Sequence, residues 1–533
     1  MTNLSQEKRL RMLSFLETLR KNNQDDISSL RAINEIEVAL NEKKYGLVWE
    51  NHVENVDILI DKSIPVLEDI IERKIELNNK TPYNFLIEGD NLHALKILEK
   101  THRGKVDVIY IDPPYNTGSK DFIYDDNYVN IDDSYRHSKW LSFMSKRLIL
   151  ARLLLKKSGF IAISIDDSEQ AQLKLLCDEI FGEGNFIAEL IWKKKKGGGN
   201  DSKYIATEHE YIIVFAKDKT HLDNIFIPHD VDYIKRYKEC DEKGRFFWDT
   251  FKRKSGKQYY PIKCPDGTIL EYDDNGDRIS WLRSEERFYK DLAEGEVRLI
   301  KVNDKWSVHF KQRMPIGKKP RSILDDLGTT ADGTALLEKV LMKTGIFDNP
   351  KPIELIKHLI SYKPKDSLVL DFFAGSGTTG HAVMELNQSD GGNRRFILCT
   401  NNQNNIAEEV TYKRLCAIQS EIPHNLKYFR SNYISRFSES TYLDTMLLKY
   451  IAPLIELEYA CDIDNSTMRI FLEEDEFDEF MAQQEKINLT KVFLASDILL
   501  SAVQEQKLAE VKCEIIRIPE YYYRDELIES GDI

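Results

Sequence analysis

The feature that most limits the fold is a rhythm. Short β-rich apolar runs alternate with segments of helical spacing, and the rhythm stops and resumes once. Asn84-Phe85-Leu86-Ile87-Glu88-Gly89-Asp90 is an apolar run ending in a turn, and Asn91 to Lys100 has helical spacing. Val106 to Ile111 is a second run. Trp140 to Lys157 reads as a long helix, Gly159 to Ile165 as a strand, Gln170 to Phe181 as a helix and Tyr211 to Ala216 as a strand. The rhythm resumes with helix Pro352 to Tyr362, strand Ser367 to Asp371, helix Thr379 to Leu386 and strand Arg395 to Cys399. Such alternation predicts an α/β, doubly wound sheet. Residues 220–330 break it. They are rich in Lys, Asp, Gly, Tyr and Trp, with turns at Cys264-Pro265-Asp266-Gly267 and Asp273-Asp274-Asn275-Gly276, and read as an insertion. Residues 1–80 read as a helical extension, with Met12, Phe15, Leu16 and Leu19 on one face and similar spacing from Val66 to Leu77. After about 430 the pattern is mixed. The acidic run Glu473 to Glu476 reads as a solvated face or a helix start.

Composition narrows the class. A chain of 533 residues is too long for one core and suggests about three or four units. With 42% hydrophobic and 31% charged residues it is globular, not disordered. No run of about 18 apolar residues predicts a membrane span. The first residues lack the continuous apolar core of a signal peptide. The seven cysteines (Cys177, Cys240, Cys264, Cys399, Cys416, Cys461 and Cys513) form no Cys-x-x-Cys pair. That argues against a zinc site or a disulfide framework; no metal is expected, and a cytoplasmic location is. The net charge of −14 taken alone speaks against nucleic acid. A binding face is local, however, and basic clusters all fall mid-chain: Lys193 to Lys196, then Lys252, Arg253, Lys254 and Lys257, then Lys311, Arg313, Lys318, Lys319 and Arg321.

Two motifs carry chemistry. Asp112-Pro113-Pro114-Tyr115 ends an apolar strand, where open α/β sheets bind their ligands. The prolines contribute no N–H and stiffen the turn, so carbonyls stay free to accept. With the Asp112 carboxylate and the flat face of Tyr115, the turn suits a planar base with an exocyclic amine. The lone pair of such an amine is delocalised; acceptors for its hydrogens draw charge back onto nitrogen and prepare it for attack. Pro-Pro by itself is an ordinary turn. The second motif, Asp371-Phe372-Phe373-Ala374-Gly375-Ser376-Gly377-Thr378-Thr379-Gly380, follows a strand and opens a helix. Its Gly-x-Gly-x-x-Gly core also matches a dinucleotide fingerprint, so a nicotinamide or flavin site is a rival. A glycine loop at a helix N-terminus equally suits the carboxylate of a methionine moiety.

Together the motifs resemble the signature of amino-methyltransferases acting on DNA, the N6-adenine and N4-cytosine group. The catalytic motif precedes the glycine loop with an insert between, which resembles the permuted β class. Further stretches are similar to blocks in modification subunits of type III restriction systems: Leu86 to Leu95, Phe347-Asp348-Asn349-Pro350-Lys351-Pro352, Asn393 to Asn405, Tyr45 to Trp49 and Tyr523 to Leu527. The resemblance covers nearly the whole chain and is loose only in 220–330. It implies a Rossmann-like methyltransferase sheet in permuted order with its core in 81–219 and 331–430. It implies a target recognition domain in 220–330, beside the helical extension expected in 1–80 and a C-terminal α+β region expected in 431–533. It implies S-adenosyl-L-methionine as methyl donor, double-stranded DNA as partner and a homodimer; it also implies a separately encoded restriction subunit, although such an enzyme could equally act alone.

Carried over by position, Asp112, Pro113, Pro114 and Tyr115 would hold a flipped base. Asp371, Phe373, Gly375, Gly377 and Thr378 would form the cofactor pocket. Asn349, Lys351 and Pro352 would sit near the methionine end, and Asp90 near the cofactor's adenine. One departure stands out. After Cys399, where the family often carries an acid for the ribose, the chain reads Thr400-Asn401-Asn402-Gln403, leaving Asn402 or Gln403 for that contact. Lys193 to Gly199 is expected to order on DNA near the base. Trp248, Tyr259, Tyr260, Trp281 and Arg283 are candidates for the reading surface in the major groove. Asp at the first motif position favours adenine over cytosine. The rivals are N4-cytosine methylation, a non-catalytic specificity module, and methylation of RNA or protein.

Overall fold

In the computed structural model the apolar runs become strands of a ten-stranded sheet. The structure describes residues 12–16, 18–20, 33, 36, 49–77, 81–118, 122–124, 127–197, 202–436, 447–483, 487–519, 522 and 528. In chain order the sheet elements and their helices are β1 (Ser63–Asp69), β2 (Asn84–Glu88), α1 (Asn91–His102), β3 (Val106–Ile111), α2 (Arg136–Leu154), β4 (Leu155–Ile165), α3 (Gln170–Phe181), β5 (Phe186–Lys193) and β6 (His209–Ala216). After an excursion come β7 (Ile323–Leu324), α4 (Thr330–Leu341), α5 (Ile353–Ile360), β8 (Leu368–Asp371), α6 (Thr378–Asp390), β9 (Arg395–Thr400) and β10 (Leu426–Ser435). Across the sheet the order is β1-β10-β2-β9-β8-β3-β4-β6-β5-β7. The six strands from β10 to β4 are parallel, and β6 runs antiparallel to β4.

The period-two pleat decides which side chain goes where. In β3, Ile109 and Ile111 face one core while Val108 and Tyr110 face the other. Helices α1, α2 and α3 cover the first face, and α5 and α6 the second. Each fully buried Ile or Leu in these layers is worth about 1.5–3 kcal/mol over exposure. With both faces covered, the parallel strands read as continuous apolar runs. β8 and β3 are neighbours, with Val369 opposite Val108. The chain leaves β3 through α2 toward β4 and leaves β8 through α6 toward β9, in opposite directions. That is a topological switch point, with a crevice at its carboxyl end.

Three expectations need correction. Residues 66–77 are not helical: Ser63–Asp69 is an edge strand antiparallel to β10, followed by a 3-10 turn at Ile71–Arg73. Pro65 is tolerated on an outer strand but would equally start a helix; pairing with β10, from Ser63 opposite Ser435 to Asp69 opposite Phe429, decides for the strand. Residues 12–16 and 18–20 are helical, but of the predicted apolar face Leu16 is buried while Met12 and Phe15 are exposed. The region after 430 holds a three-stranded parallel sheet, Met468–Phe471, Lys491–Leu494 and Glu514–Arg517, with helices Glu474–Gln483 and Ala502–Glu510 between the strands. It alternates rather than segregating helix from strand. The acidic run supplies the first turn of Glu474–Gln483, where carboxylates oppose the helix dipole.

Residues Asn224–Arg321 form a second compact unit. Its core is Phe251, Tyr260, Ile262, Trp281, Phe288, Val308 and Phe310. Strand Lys305–Arg313 pairs with both Val297–Val302 and Gly244–Thr250. Near its two ends the chain closes on itself: Ile227 and Lys318 exchange both backbone hydrogen bonds, at 2.9 and 3.0 Å.

Candidate active site

β3 delivers Asp112 to the switch point, and the Pro-Pro turn is pinned from below. Trp140, fully buried on α2, donates its indole N–H to the Pro114 carbonyl at 2.7 Å. Asn116 closes the turn in the left-handed region at φ 60°, which Asn tolerates better than most residues. Its amide donates to Glu169 Oε1 at 2.5 Å and to the Arg136 carbonyl at 3.2 Å. Glu169 also meets His137 Nδ1 at 2.7 Å. Burial pushes the Glu169 carboxyl up to about 8, against the Asn116 hydrogen bond and the Arg136 charge, with Asp166 reinforcing the rise. Burial and Arg136 hold His137 below its ordinary value. The contact is therefore a hydrogen bond between neutral groups at neutral pH, not an ion pair.

Above the turn lie two carboxylates and two ammonium groups. Lys351 Nζ donates to Asp112 Oδ1 at 2.9 Å, to Asp112 Oδ2 at 2.8 Å and to the Tyr115 hydroxyl at 2.9 Å. It also lies 3.3 Å from Glu210 Oε2. The Tyr115 hydroxyl is 2.8 Å from Asp112 Oδ1 and 3.0 Å from Glu210 Oε2, with one hydrogen to give. Lys194 holds the other Glu210 oxygen at 3.1 Å. Burial works against charge on Lys351, but Asp112 and Glu210 hold it above its ordinary value. Burial alone would raise Glu210; Lys351 and Lys194 hold it low. Burial, then Asp112 and Glu210, push the Tyr115 phenol well up, so it stays protonated.

On the neighbouring strand, Asp371 is buried and braces the glycine loop. It accepts from Thr379 Oγ1 at 2.5 Å and from the Phe373 N–H at 3.0 Å. Burial pushes its carboxyl up to about 7, against those two bonds. Gly375 and Gly377 sit at φ 47° and 74°, where a side chain is strained; a Cβ on Gly375 would also lie 3.0 Å from the Phe347 ring. Fully buried Arg414 donates to Thr378 Oγ1 at 2.9 Å, turning that hydroxyl into the protein. Asp90 caps α1, accepting from the Leu92 N–H at 2.7 Å. Asn91 ties α1 to the loop by donating to the Phe372 carbonyl at 3.1 Å, and accepts from buried Arg147 at 2.6 Å. Glu54 holds the same guanidinium at 3.0 and 3.1 Å.

A cleft of about 1710 Å³ joins the two motifs. Of the residues expected there, Asp90, Asp112, Pro113, Pro114, Tyr115, Asn349, Lys351, Phe373, Gly375 and Gln403 line it. Pro352, Asp371, Gly377, Thr378 and Asn402 do not. Pro352 packs over Gly328, Gly377 lies against Thr411, and Asn402 Oδ1 accepts from the Glu408 N–H at 3.3 Å. Asn401 takes the wall position instead. Lys351, expected at the methionine end, sits on Asp112. Glu88, at the end of β2 beside β9, is engaged by Tyr428 at 2.5 Å and Arg430 at 3.1 Å, so it leaves the neutral Thr400-Asn401-Asn402-Gln403 stretch without an acid.

Sequence reasoning missed Glu210, Lys194, Glu169, Asn91, Arg147 and Glu54. One signal was available for Glu210: a carboxylate at the mouth of the apolar run Tyr211 to Ala216. Lys194 was hidden in the basic run expected to order on DNA; Lys194, Lys195 and Lys196 line the cleft, and Gly198 and Gly199 lie outside the described residues. So do Tyr45 to Val48 and Tyr523 to Leu527. In the second unit, Tyr260 and Trp281 belong to its core, which removes both from the reading surface; Arg283 is bound to buried Asp291. Tyr259 remains 48% exposed, and Arg298 lies 4.0 Å above the Trp248 ring. Many of the basic residues noted in this unit are paired, Arg313 with Asp241 and Glu296, Lys311 with Asp241 and Lys318 with Asp230.

A family model described as DNA methylase matches residues 106–410. The chain is 39% identical over 403 residues to the StyLTI Mod subunit of a type III restriction-modification enzyme from Salmonella typhimurium, covering 68% of this chain and 59% of that protein. It is 35% identical to the EcoPI Mod subunit of Escherichia phage P1, covering 69% of this chain and 65% of that one. The match thus spans less than two thirds of these two relatives. It is 32% identical to the type II methyltransferase M.KpnI of Klebsiella pneumoniae, over 72% of this chain and 96% of that protein. With a family match running through both motifs and a relative covered almost end to end, the chain belongs to the DNA methylase family.

Proposed function

We propose that this chain is a site-specific DNA methyltransferase that transfers the methyl group of S-adenosyl-L-methionine to the N6 amine of a flipped adenine. We read it as the modification subunit of a type III restriction-modification system. The observation that carries this reading is the meeting of Asp112-Pro113-Pro114-Tyr115 and the Gly375 loop in one cleft, at the carboxyl ends of adjacent strands.

The donor set fits the cofactor. Backbone of the Gly375 loop at the head of α6 suits a carboxylate. The Asn401 and Gln403 amides suit ribose hydroxyls, the Asp90 carboxylate an adenine amine, and Phe373 a ring face. When bound, S-adenosyl-L-methionine supplies an electrophilic methyl group. The protein's residues prepare the other reactant. The Asp112 carboxylate and Pro113 carbonyl accept the amine hydrogens, Tyr115 stacks on the base, and the Trp140 bond keeps the turn from yielding. The amine is out of reach in a stacked duplex, so the base is extruded. Asn224–Arg321 is the unit we assign to sequence reading. A restriction subunit, a second copy of this chain and a cytoplasmic setting complete the picture; among the described residues no helix is long and apolar enough to cross a membrane.

Transfer of tritiated methyl to double-stranded DNA tests the reading. Label in N6-methyladenine, lost in Asp112→Ala, is the expected result. Label in N4-methylcytosine would overturn the choice of base, and no label in any DNA would overturn the assignment.

A further inference from the structure

The four charges above the turn pose a problem for the reaction just proposed. An amine entering the site needs a lone pair on Asp112. Lys351 already sits on both Asp112 oxygens, at 2.8 and 2.9 Å. An ammonium group is itself an amine with its hydrogens aimed at a carboxylate, and with the Tyr115 hydroxyl also on Oδ1 most of the roughly four acceptor sites of Asp112 are taken, so Lys351 competes with the target for them. Lys351 and Glu210 are 8% and 7% exposed, and a buried cation cannot simply be set free. It needs another carboxylate within reach, and Glu210 Oε2 lies 3.3 Å away on β6.

We propose that Lys351 is an internal stand-in for the target amine, and that Glu210 is the positioning residue that receives Lys351 when the base arrives. This rests on the methyltransferase reading above. A small swing of Nζ from Asp112 to Glu210 frees the acceptor and keeps the cation paired. Lys194 anchors the far oxygen of Glu210 at 3.1 Å, so the receiving carboxylate does not follow the swing. The Tyr115 hydroxyl touches both carboxylates and can turn its one hydrogen from one to the other. The count of two anions and two cations is unchanged throughout. The exchange also moves a positive charge away from a nitrogen that becomes positive as it is methylated.

The test is steady-state methyl transfer by the full-length chain with S-adenosyl-L-methionine and DNA. Glu210→Gln leaves Asp112 as the one carboxylate on Lys351, and kcat falls about 10- to 100-fold while the KM for S-adenosyl-L-methionine stays within about twofold. Adding Lys351→Met to Glu210→Gln removes the obstructing cation and raises kcat again by about tenfold over the single variant. A merely structural role gives no such recovery, because the second loss compounds the first. Glu210→Asp keeps the charge and gives a rate between wild type and Glu210→Gln. A wild-type kcat in Glu210→Gln, a double variant no faster than it, or Glu210→Asp no faster than Glu210→Gln would each overturn the proposal. If the wild-type chain itself methylates nothing, it is the functional reading that falls.

Discussion

Replacing Glu169 by Gln tests the floor of the active site. Glu169 is fully buried under the Asp112 to Tyr115 turn, and its carboxyl is pushed up to about 8 by that burial. In the unfolded chain it ionises near its ordinary 4.5. Below pH 4.5 both states carry the proton and nothing is lost. From there to about pH 8 the unfolded chain has released a proton that the folded chain keeps, so stability falls with rising pH. At about 1.4 kcal/mol per pH unit, the loss reaches roughly 5 kcal/mol by pH 8 and then levels off. Gln has the same shape, still accepts from Asn116, and does not ionise. The variant is therefore expected to gain on wild type steadily between pH 5 and 8. Because a chain with two compact units does not unfold in one step, the quantity to follow is the difference in melting midpoint between variant and wild type across pH. A difference that stays constant from pH 5 to 8 refutes the argument. So does one that shrinks, which would mean that Glu169 is ionised and paired with a charged His137.

Three further outcomes follow from the geometry. Trp140→Phe removes the donor to the Pro114 carbonyl, at a cost of about 1–3 kcal/mol; kcat should drop about 10- to 100-fold with cofactor affinity unchanged, and an equal loss of both measured by calorimetry and kinetics would count against a local effect. Gly375→Ala must hold a side chain at φ 47° and 3.0 Å from Phe347, so S-adenosyl-L-methionine should bind about tenfold more weakly, given about 1–2 kcal/mol of strain; an unchanged dissociation constant would contradict it. Lys195 and Lys196 line the cleft, and if they meet phosphates, replacing both by Ala should lower the slope of log affinity against log salt by about 2. An unaltered slope removes them from the DNA interface.

The sheet and the two motifs were legible because each depends on contiguous residues. Val106 to Ile111 declares a strand by its own composition, and Asp112 to Tyr115 follows at once. Val66 to Leu77 misled because its apolar spacing fits a helix, and the pairing partner that makes it a strand lies more than 350 residues away at Leu426–Ser435. Tyr260 and Trp281 misled for a different reason: an aromatic in an insertion fits a core as well as a surface, and only the partners Phe251 and Phe288 decide. The charge network was out of reach. Lys351, Asp112 and Glu210 come from three separated stretches, and their meeting depends on β6 lying beside β4 and on the loop before α5. No local pattern encodes that order. Thr378 and Asn402 fall between these cases: the motif brings the chain to the cleft, but neither residue lines it, and Arg414 and the Glu408 N–H engage their side chains.

The paired bridge between Ile227 and Lys318 has an evolutionary consequence. The 98 residues of the second unit hang from a stem that is closed by its own backbone bonds. A recombination event with breakpoints on the two sides of that stem replaces the whole unit, while the strands that carry Asp112 and Gly375 keep every neighbour. The cost of closing a loop grows only with the logarithm of its length, about 0.6 kcal/mol per doubling, so an incoming segment of different size changes the closure of the stem little. On the function proposed above, such an exchange, one crossover on each side of the stem, changes the DNA sequence that is read and keeps the chemistry, as a tool accepts a different bit.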